Sequence, residues 1–158
     1  MKLTLMAVGH KTPDWIEAGC REYLRRLPRG MDARLCEIRP EPREGKRREQ
    51  LLAAEMARIR QNLKALFPYR LVVLDEKGQN LTTLEFAERF AEWRVSGDNI
   101  VLLIGGADGL DADLKREAAE SLRLSSLTFP HHLARLVLCE QIYRAMSVLE
   151  GHPYHREG

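Results

Sequence analysis

Continuous apolar runs constrain this chain more than any other feature. Residues 2–8, Leu71-Val72-Val73-Leu74-Asp75 and Ile100-Val101-Leu102-Leu103-Ile104, each read as a strand, hold few polar side chains. A strand with one wet face alternates apolar and polar residues, whereas a strand buried on both faces reads as an unbroken hydrophobic stretch. Helical patterns lie between these runs. Leu52, Met56, Ile59, Leu63 and Leu66 recur every three or four residues, and residues 83–95 are amphipathic in the same way. Strands separated by helices pair in parallel, because the crossover needs the helix. The expected fold class is therefore α/β, a mostly parallel sheet with helices on both faces.

The remaining elements follow from local punctuation. Thr12 offers an N-cap to a helix that has Pro13 and Asp14 at its start and ends at Pro28 and Gly30. A second strand is expected over 33–39 and a polar, proline-rich loop over 40–46. After residue 104 come the loop Gly105-Gly106-Ala107-Asp108-Gly109 and a helix near 111–122. A short strand near 126–129 then stops at Pro130, and a last helix runs from about His132 to Leu149. A length of 158 residues suits a single domain over 1–158 that needs no staples to hold its core.

Composition excludes several classes. Three dispersed cysteines, Cys20, Cys36 and Cys139, form no CxxC pair, which argues against a disulfide framework or a cysteine zinc site and fits a reducing, cytoplasmic setting. The apolar start is too short for a secretory leader and far short of the roughly 20 residues a membrane helix needs. His131-His132 and the pair His152 and His155 match no metal-ligand pattern, so no metal is expected. The net charge of +2 hides an asymmetry: residues 1–70 carry 16 Lys and Arg against 9 Asp and Glu, and residues 71–158 carry 9 against 14. The basic half reads either as a nucleic-acid footprint or as a solvated helix face with a basic loop.

Ligands of open α/β sheets sit beyond the carboxyl ends of the strands. The glycine loop at 105–109 lies at such a place. Its GGxxG spacing is neither a Walker A loop nor G-x-G-x-x-G, which leaves open a nucleotide-like ligand or a tight turn. In Leu124-Ser125-Ser126-Leu127-Thr128-Phe129-Pro130, apolar side chains alternate with hydroxyls, so the segment can wall a pocket or form a plain edge strand. In the last helix, Arg135, Glu140, Tyr143 and Arg144 are polar residues in an apolar context. They form a helical ladder or the wall of a polar pocket.

Taken together, Ile104-Gly105-Gly106-x-x-Gly109, Leu127-Thr128-Phe129-Pro130-His131, Arg135, Glu140-x-x-Tyr143-Arg144 and Tyr154-His155-Arg156 carry a resemblance that one motif alone does not. The opening residues 1–9 and Tyr23-Leu24-Arg25-Arg26 extend it over essentially the whole chain. The sequence resembles the SPOUT-class pseudouridine-N3 methyltransferases of large-subunit ribosomal RNA. The resemblance implies S-adenosylmethionine as cofactor, a C-terminal trefoil knot, and a homodimer in which one subunit's tail completes the other's site. It also implies that the ribosome and its large-subunit rRNA are the partner. By position, Leu74, Gly105 and the segment Leu124, Ser125, Ser126, Leu127, Thr128, Phe129 would bind the cofactor. Arg135, Tyr143, Arg144, Tyr154 and His155 would surround the acceptor nucleotide, with His131 at the junction and Glu140 orienting Arg144. His155 is the candidate base, since imidazole exchanges protons near neutrality. Arg21, Arg25, Arg26 and Arg29 share about one helix face and could touch phosphates. The alternatives are a non-catalytic ribosome-binding factor and another nucleotide-binding α/β enzyme.

Overall fold

The computed structural model describes residues 1–156; of the domain expected over 1–158, Glu157 and Gly158 lie outside the described residues. Five strands and five helices alternate. They are β1 (Lys2–Val8), α1 (Asp14–Arg25), β2 (Asp32–Ile38), α2 (Arg48–Lys64), β3 (Tyr69–Asn80), α3 (Thr83–Ser96), β4 (Asn99–Ile104), α4 (Ala112–Glu117), β5 (Glu120–Arg123) and α5 (His131–Glu150). A 3-10 turn at Pro153–His155 follows. The strands form one sheet in the order β2-β1-β4-β3-β5, and every pairing is parallel.

The unbroken apolar runs are explained by two cores. Leu3, Leu5, Ala7, Val72, Ile100, Leu102 and Ile104 point to the face covered by α1, α3 and α5. Their neighbours Met6, Val8, Val73, Val101 and Leu103 point to the other face, under α2 and α4. Since successive strand residues face opposite ways, burial on both sides demands an apolar residue at nearly every position. Helix α3 shows the local logic best. Thr82 accepts from the Glu85 N–H at 3.2 Å while the Glu85 carboxylate accepts from the Thr82 N–H at 2.7 Å, and Gly97 ends the helix at φ +74°.

Four boundaries differ from expectation. Thr12 does not cap α1: Pro13 takes that position, and the Thr12 hydroxyl instead donates to Glu37 and accepts from Arg135. Helix α4 ends at Glu117 rather than near 122, because the chain turns extended at Ala118 to enter the sheet. The last strand is therefore 120–123, not 126–129. It is held at its start by Glu120, whose carboxylate accepts from Trp93 Nε1 at 2.7 Å and Arg70 Nε at 3.1 Å and also pairs with Arg89. Strand β3 runs on to Asn80 rather than stopping at 75. It leaves its neighbour after Leu74↔Leu122 and returns at Gln79↔Leu122, so residues 75–78 form an excursion opposite a single residue of β5.

Candidate cofactor and acceptor site

A cavity of about 570 Å³ lies beyond the carboxyl ends of β4 and β5 and beside the mid-strand excursion of β3. Three segments wall it: Leu74–Glu76 from the β3 excursion, Ile104–Leu110 after β4, and Arg123–Phe129 after β5. All eight residues expected at a cofactor, Leu74, Gly105 and 124–129, line it together. Arg48, Asp75, Glu76, Lys115 and Arg123 also line it, and no sequence pattern marks them out.

The glycine loop is both a tight turn and a cavity wall. The Gly109 N–H donates to the Gly106 carbonyl at 3.0 Å, and Gly109 sits at φ +79°. A β-carbon on Gly105 would lie 2.7 Å from the Gly109 carbonyl carbon and 2.8 Å from its oxygen, so only glycine allows the two backbones this approach. Arg43 clamps the loop from outside, donating to the two Asp108 carboxylate oxygens at 2.6 and 3.2 Å. Arg48 adds a bond to the Asp108 carbonyl at 2.9 Å. Asp108 thus faces arginines of the 40–48 region.

The segment after β5 is shaped by local bonds that compete with strand pairing. The Arg123 guanidinium donates to the Ser125 carbonyl at 3.0 Å and the Ser126 carbonyl at 3.3 Å. The Ser125 hydroxyl accepts from the Leu127 N–H at 3.0 Å. On the opposite wall Lys115 neutralises Asp75 at 3.2 Å. His131, at the start of α5, presents a buried Nε2 with no partner among the described residues. Burial, with His132, Arg135 and His10 nearby, lowers its pKa from the ordinary 6.5 and favours the neutral ring.

The residues expected around the acceptor stand elsewhere. Tyr143 lies nine residues past Ala134, the last α5 residue on the cavity, which is about 14 Å along the helix. Its ring meets Tyr154 at 4.5 Å and Tyr23 at 6.2 Å, with the Arg26 guanidinium 5.5 Å from its centre. Arg144 donates to Glu140 at 2.8 Å and lies 4.9 Å from the Tyr154 ring centre. The Tyr154 hydroxyl donates to the same Glu140 oxygen at 3.0 Å, and Ser147 and His155 Nδ1 are 3.2 Å apart. Burial, with Tyr23 and Glu140 beside it, pushes the Tyr154 phenol well above its ordinary value, so the hydroxyl keeps the proton it donates to Glu140. Arg135 belongs to neither group; it is buried against Thr12 and Glu37. Within the chain the expected residues therefore form three groups: the lining of the cavity, a tyrosine–arginine cluster with the tail, and a separate buried arginine.

A parallel α/β sheet with a cavity walled by a glycine turn and strand-end loops defines the class of α/β proteins that hold small ligands past their strand ends. The comparisons narrow this. A family model described as "Predicted SPOUT methyltransferase" matches residues 1–155, and this chain belongs to the SPOUT methyltransferase family. It is 60% identical, over all of both chains, to the ribosomal RNA large subunit methyltransferase H of Dechloromonas aromatica (strain RCB). It is 52% identical to the protein of the same description from Nitrosomonas eutropha (strain DSM 101675 / C91 / Nm57), with 99% of each chain covered. Solved structures share the fold at low identity. A protein described as a probable methylase family member from Haemophilus influenzae Rd KW20 superposes with a TM-score of 0.58 at 15% identity, covering 99% of this chain and 70% of that one. TrmJ from Z. mobilis ZM4 does so with 0.52 at 16% identity, covering 91% and 70%. SPOUT methyltransferases use S-adenosylmethionine. Among the described residues no helix is long and apolar enough to cross a membrane.

Proposed function

We propose that this chain methylates N3 of a pseudouridine in large-subunit (23S) ribosomal RNA, with S-adenosylmethionine as donor, acting as a cytoplasmic homodimer on assembled ribosomes. The observation that carries the reading is the full-length identity of 60% to a protein described as a ribosomal RNA large subunit methyltransferase. The chain is read as one SPOUT-type domain over 1–158, with its trefoil knot in the path through the glycine turn and the 124–130 segment.

The cavity suits the cofactor. Its volume lies in the range of small-molecule sites, about 300–1,000 Å³. The close approach of Gly105 to Gly109 leaves the loop backbone facing the cavity. Leu74, Leu124 and Phe129 offer apolar surface for an adenine, and the backbone groups of Gly105 and 125–128 offer edges for its hydrogen bonds. Neutral His131 adds no positive charge beside a cationic donor. When bound, S-adenosylmethionine supplies a methyl carbon made electrophilic by its sulfonium. The protein's part is then largely alignment of the acceptor with that carbon.

The acceptor imide must lose a proton, and its anion needs positive groups nearby. Arg144, held by Glu140, supplies such a group. Tyr143 and Tyr154 offer faces for a base to stack on. His155, with Ser147 at Nδ1, keeps Nε2 to accept the proton. Tyr143 and Arg144 lie about 14 Å or more along α5 from the subunit's own cavity, with Tyr154 packed on Tyr143 and His155 against Ser147, which supports a site completed across a homodimer. The test is radiolabelled methyl transfer from S-adenosylmethionine to ribosomes lacking the modification, beside calorimetric cofactor binding. Label at one large-subunit pseudouridine is expected. Cofactor binding without label on competent ribosomes would overturn the substrate, and absence of both would overturn the reading.

A further inference from the structure

A second cavity, of about 500 Å³, opens between α1 and the edge strand β2, and the methyl-donor site makes no use of it. Its polar lining is Thr12, Glu17, Arg21, Arg25, Glu37 and Arg135. Arg135 is only 2% exposed, yet its guanidinium is incompletely satisfied. Nη1 donates to Thr12 and to Glu37, the latter at 3.1 Å, while Nε and Nη2 are buried without any partner among the described residues. Those two nitrogens form one edge of the guanidinium, the edge whose parallel N–H bonds match two oxygens of a phosphate or carboxylate.

The other guanidiniums at this cavity can move. Arg21 and Arg25 are about three-quarters exposed, at 75% and 74%, and pair only with Glu17 and Glu22 on their own helix. Surface pairs of this kind are weak and exchange readily for a stronger anion. Two carboxylates also face the cavity: Glu37 is held by Thr12 and Arg135, and Glu17 keeps Arg21 at the rim until that guanidinium turns to an anion. Neither reaches the free edge of Arg135. The cavity also adjoins the donor site, since Arg135 follows His131 by one helical turn, about 6 Å.

We propose that this second cavity is a phosphate subsite for the acceptor RNA. Nε and Nη2 of Arg135 are sealed from solvent, so the guanidinium turns that edge into the cavity to grip a phosphodiester, and Arg21 and Arg25 close over it from α1. The assignment to RNA rests on the methyltransferase reading above, while the affinity for phosphate rests on the geometry alone.

Two arms test it separately. In the full-length protein, the Arg135 Nε–Hε NMR signal is followed during titration with inorganic phosphate. A saturable shift is expected in the wild type. Phosphate affinity should be weakened at least about tenfold in the Arg21→Gln/Arg25→Gln variant, read by the same signal, and in Arg135→Lys, read by calorimetry, which keeps the charge but lacks the fork. In the second arm, methyl transfer is measured against ribosome concentration and salt. The double variant, altered only at exposed positions, is expected to raise KM about tenfold with kcat within about twofold. Its log–log salt slope should fall by roughly 0.7–0.9 for each phosphate no longer neutralised, with cofactor affinity unchanged. No saturable shift would overturn the subsite. A saturable shift with unchanged KM and salt slope would reduce it to an adventitious ion only and overturn the RNA assignment. A saturable shift in a protein that methylates no ribosome would support the subsite and remove the methyltransferase reading. Dissociation of a wild-type dimer by the double variant in sedimentation equilibrium would overturn the proposal in favour of a second copy covering the cavity.

Discussion

Replacing Gly105 by alanine puts the geometry of the glycine turn to a quantitative test. The new methyl would lie 2.7 Å from the Gly109 carbonyl carbon, 2.8 Å from its oxygen and 3.0 Å from Leu110 Cγ. Gly105 itself is not at positive φ, so the cost is collision with backbone and not strain at the substituted residue. Relief requires the 106–109 turn to open, which sacrifices the Gly109-to-Gly106 hydrogen bond at 3.0 Å. That bond is worth about 1 kcal/mol net, and forcing an extra carbon into a packed site costs about 1–3 kcal/mol. A loss of about 2–4 kcal/mol follows. At about 2–4 °C per kcal/mol for a chain of this length, Tm should fall by roughly 4–16 °C. Because the displaced turn is a wall of the 570 Å³ cavity, S-adenosylmethionine affinity should fall at least about tenfold. Calorimetry measures both quantities. Gly97→Ala is the control: it places a side chain at φ +74° in open space, costing about 1–2 kcal/mol of stability, and leaves cofactor affinity as it was. A Gly105→Ala variant with wild-type Tm and wild-type cofactor affinity would refute the claim that close backbone approach shapes this site.

Three further outcomes are expected. Tyr154→Ala and His155→Ala should each lower methyl transfer at least about tenfold with cofactor affinity nearly unchanged; wild-type turnover in both would remove the tail from the mechanism. The lowered pKa of His131 means that the unfolded chain takes up a proton near pH 6.5 that the folded chain refuses. Stability should therefore drop as pH falls from about 7.5 toward 5 and be fully present above the unfolded pKa, and His131→Gln should flatten this slope; equal slopes in the two proteins would contradict it. Arg43→Ala should lower Tm by no more than about 4 °C, the pair being largely exposed on the arginine side at 62%. It should also weaken cofactor binding a few-fold by releasing the turn through Asp108, and a titration showing no change would detach that clamp from the cavity.

Where burial is two-sided, the sequence is readable: β1, β4 and the first half of β3 announce themselves as apolar runs. Strand β5 does not, because only Leu122 of its four residues is buried and its Glu120 is occupied by Trp93, Arg70 and Arg89. The more strand-like 126–129 is bent away by Arg123 and Ser125, whose bonds to nearby backbone have no signature in apolar periodicity. Thr12 reads as a helix cap but is drawn to Glu37 and Arg135, which lie 25 and 123 residues away. The eight cavity residues are legible through the resemblance, whereas Asp75, Glu76, Arg48 and Lys115 need the fold to bring separate segments to one place.

The excursion of β3 between Leu74 and Gln79 has a consequence for how such a cavity is built. Both ends of the detour are tied to Leu122, and the Gly78 backbone is pressed against that residue so closely that a β-carbon would meet its carbonyl carbon at 2.6 Å. The sheet on either side is thereby insulated from what happens at 75–78. That short span, held at Asp75 by Lys115 and at Gly78 by Leu122, lends one wall to the cavity while β3 keeps its register on either side of it.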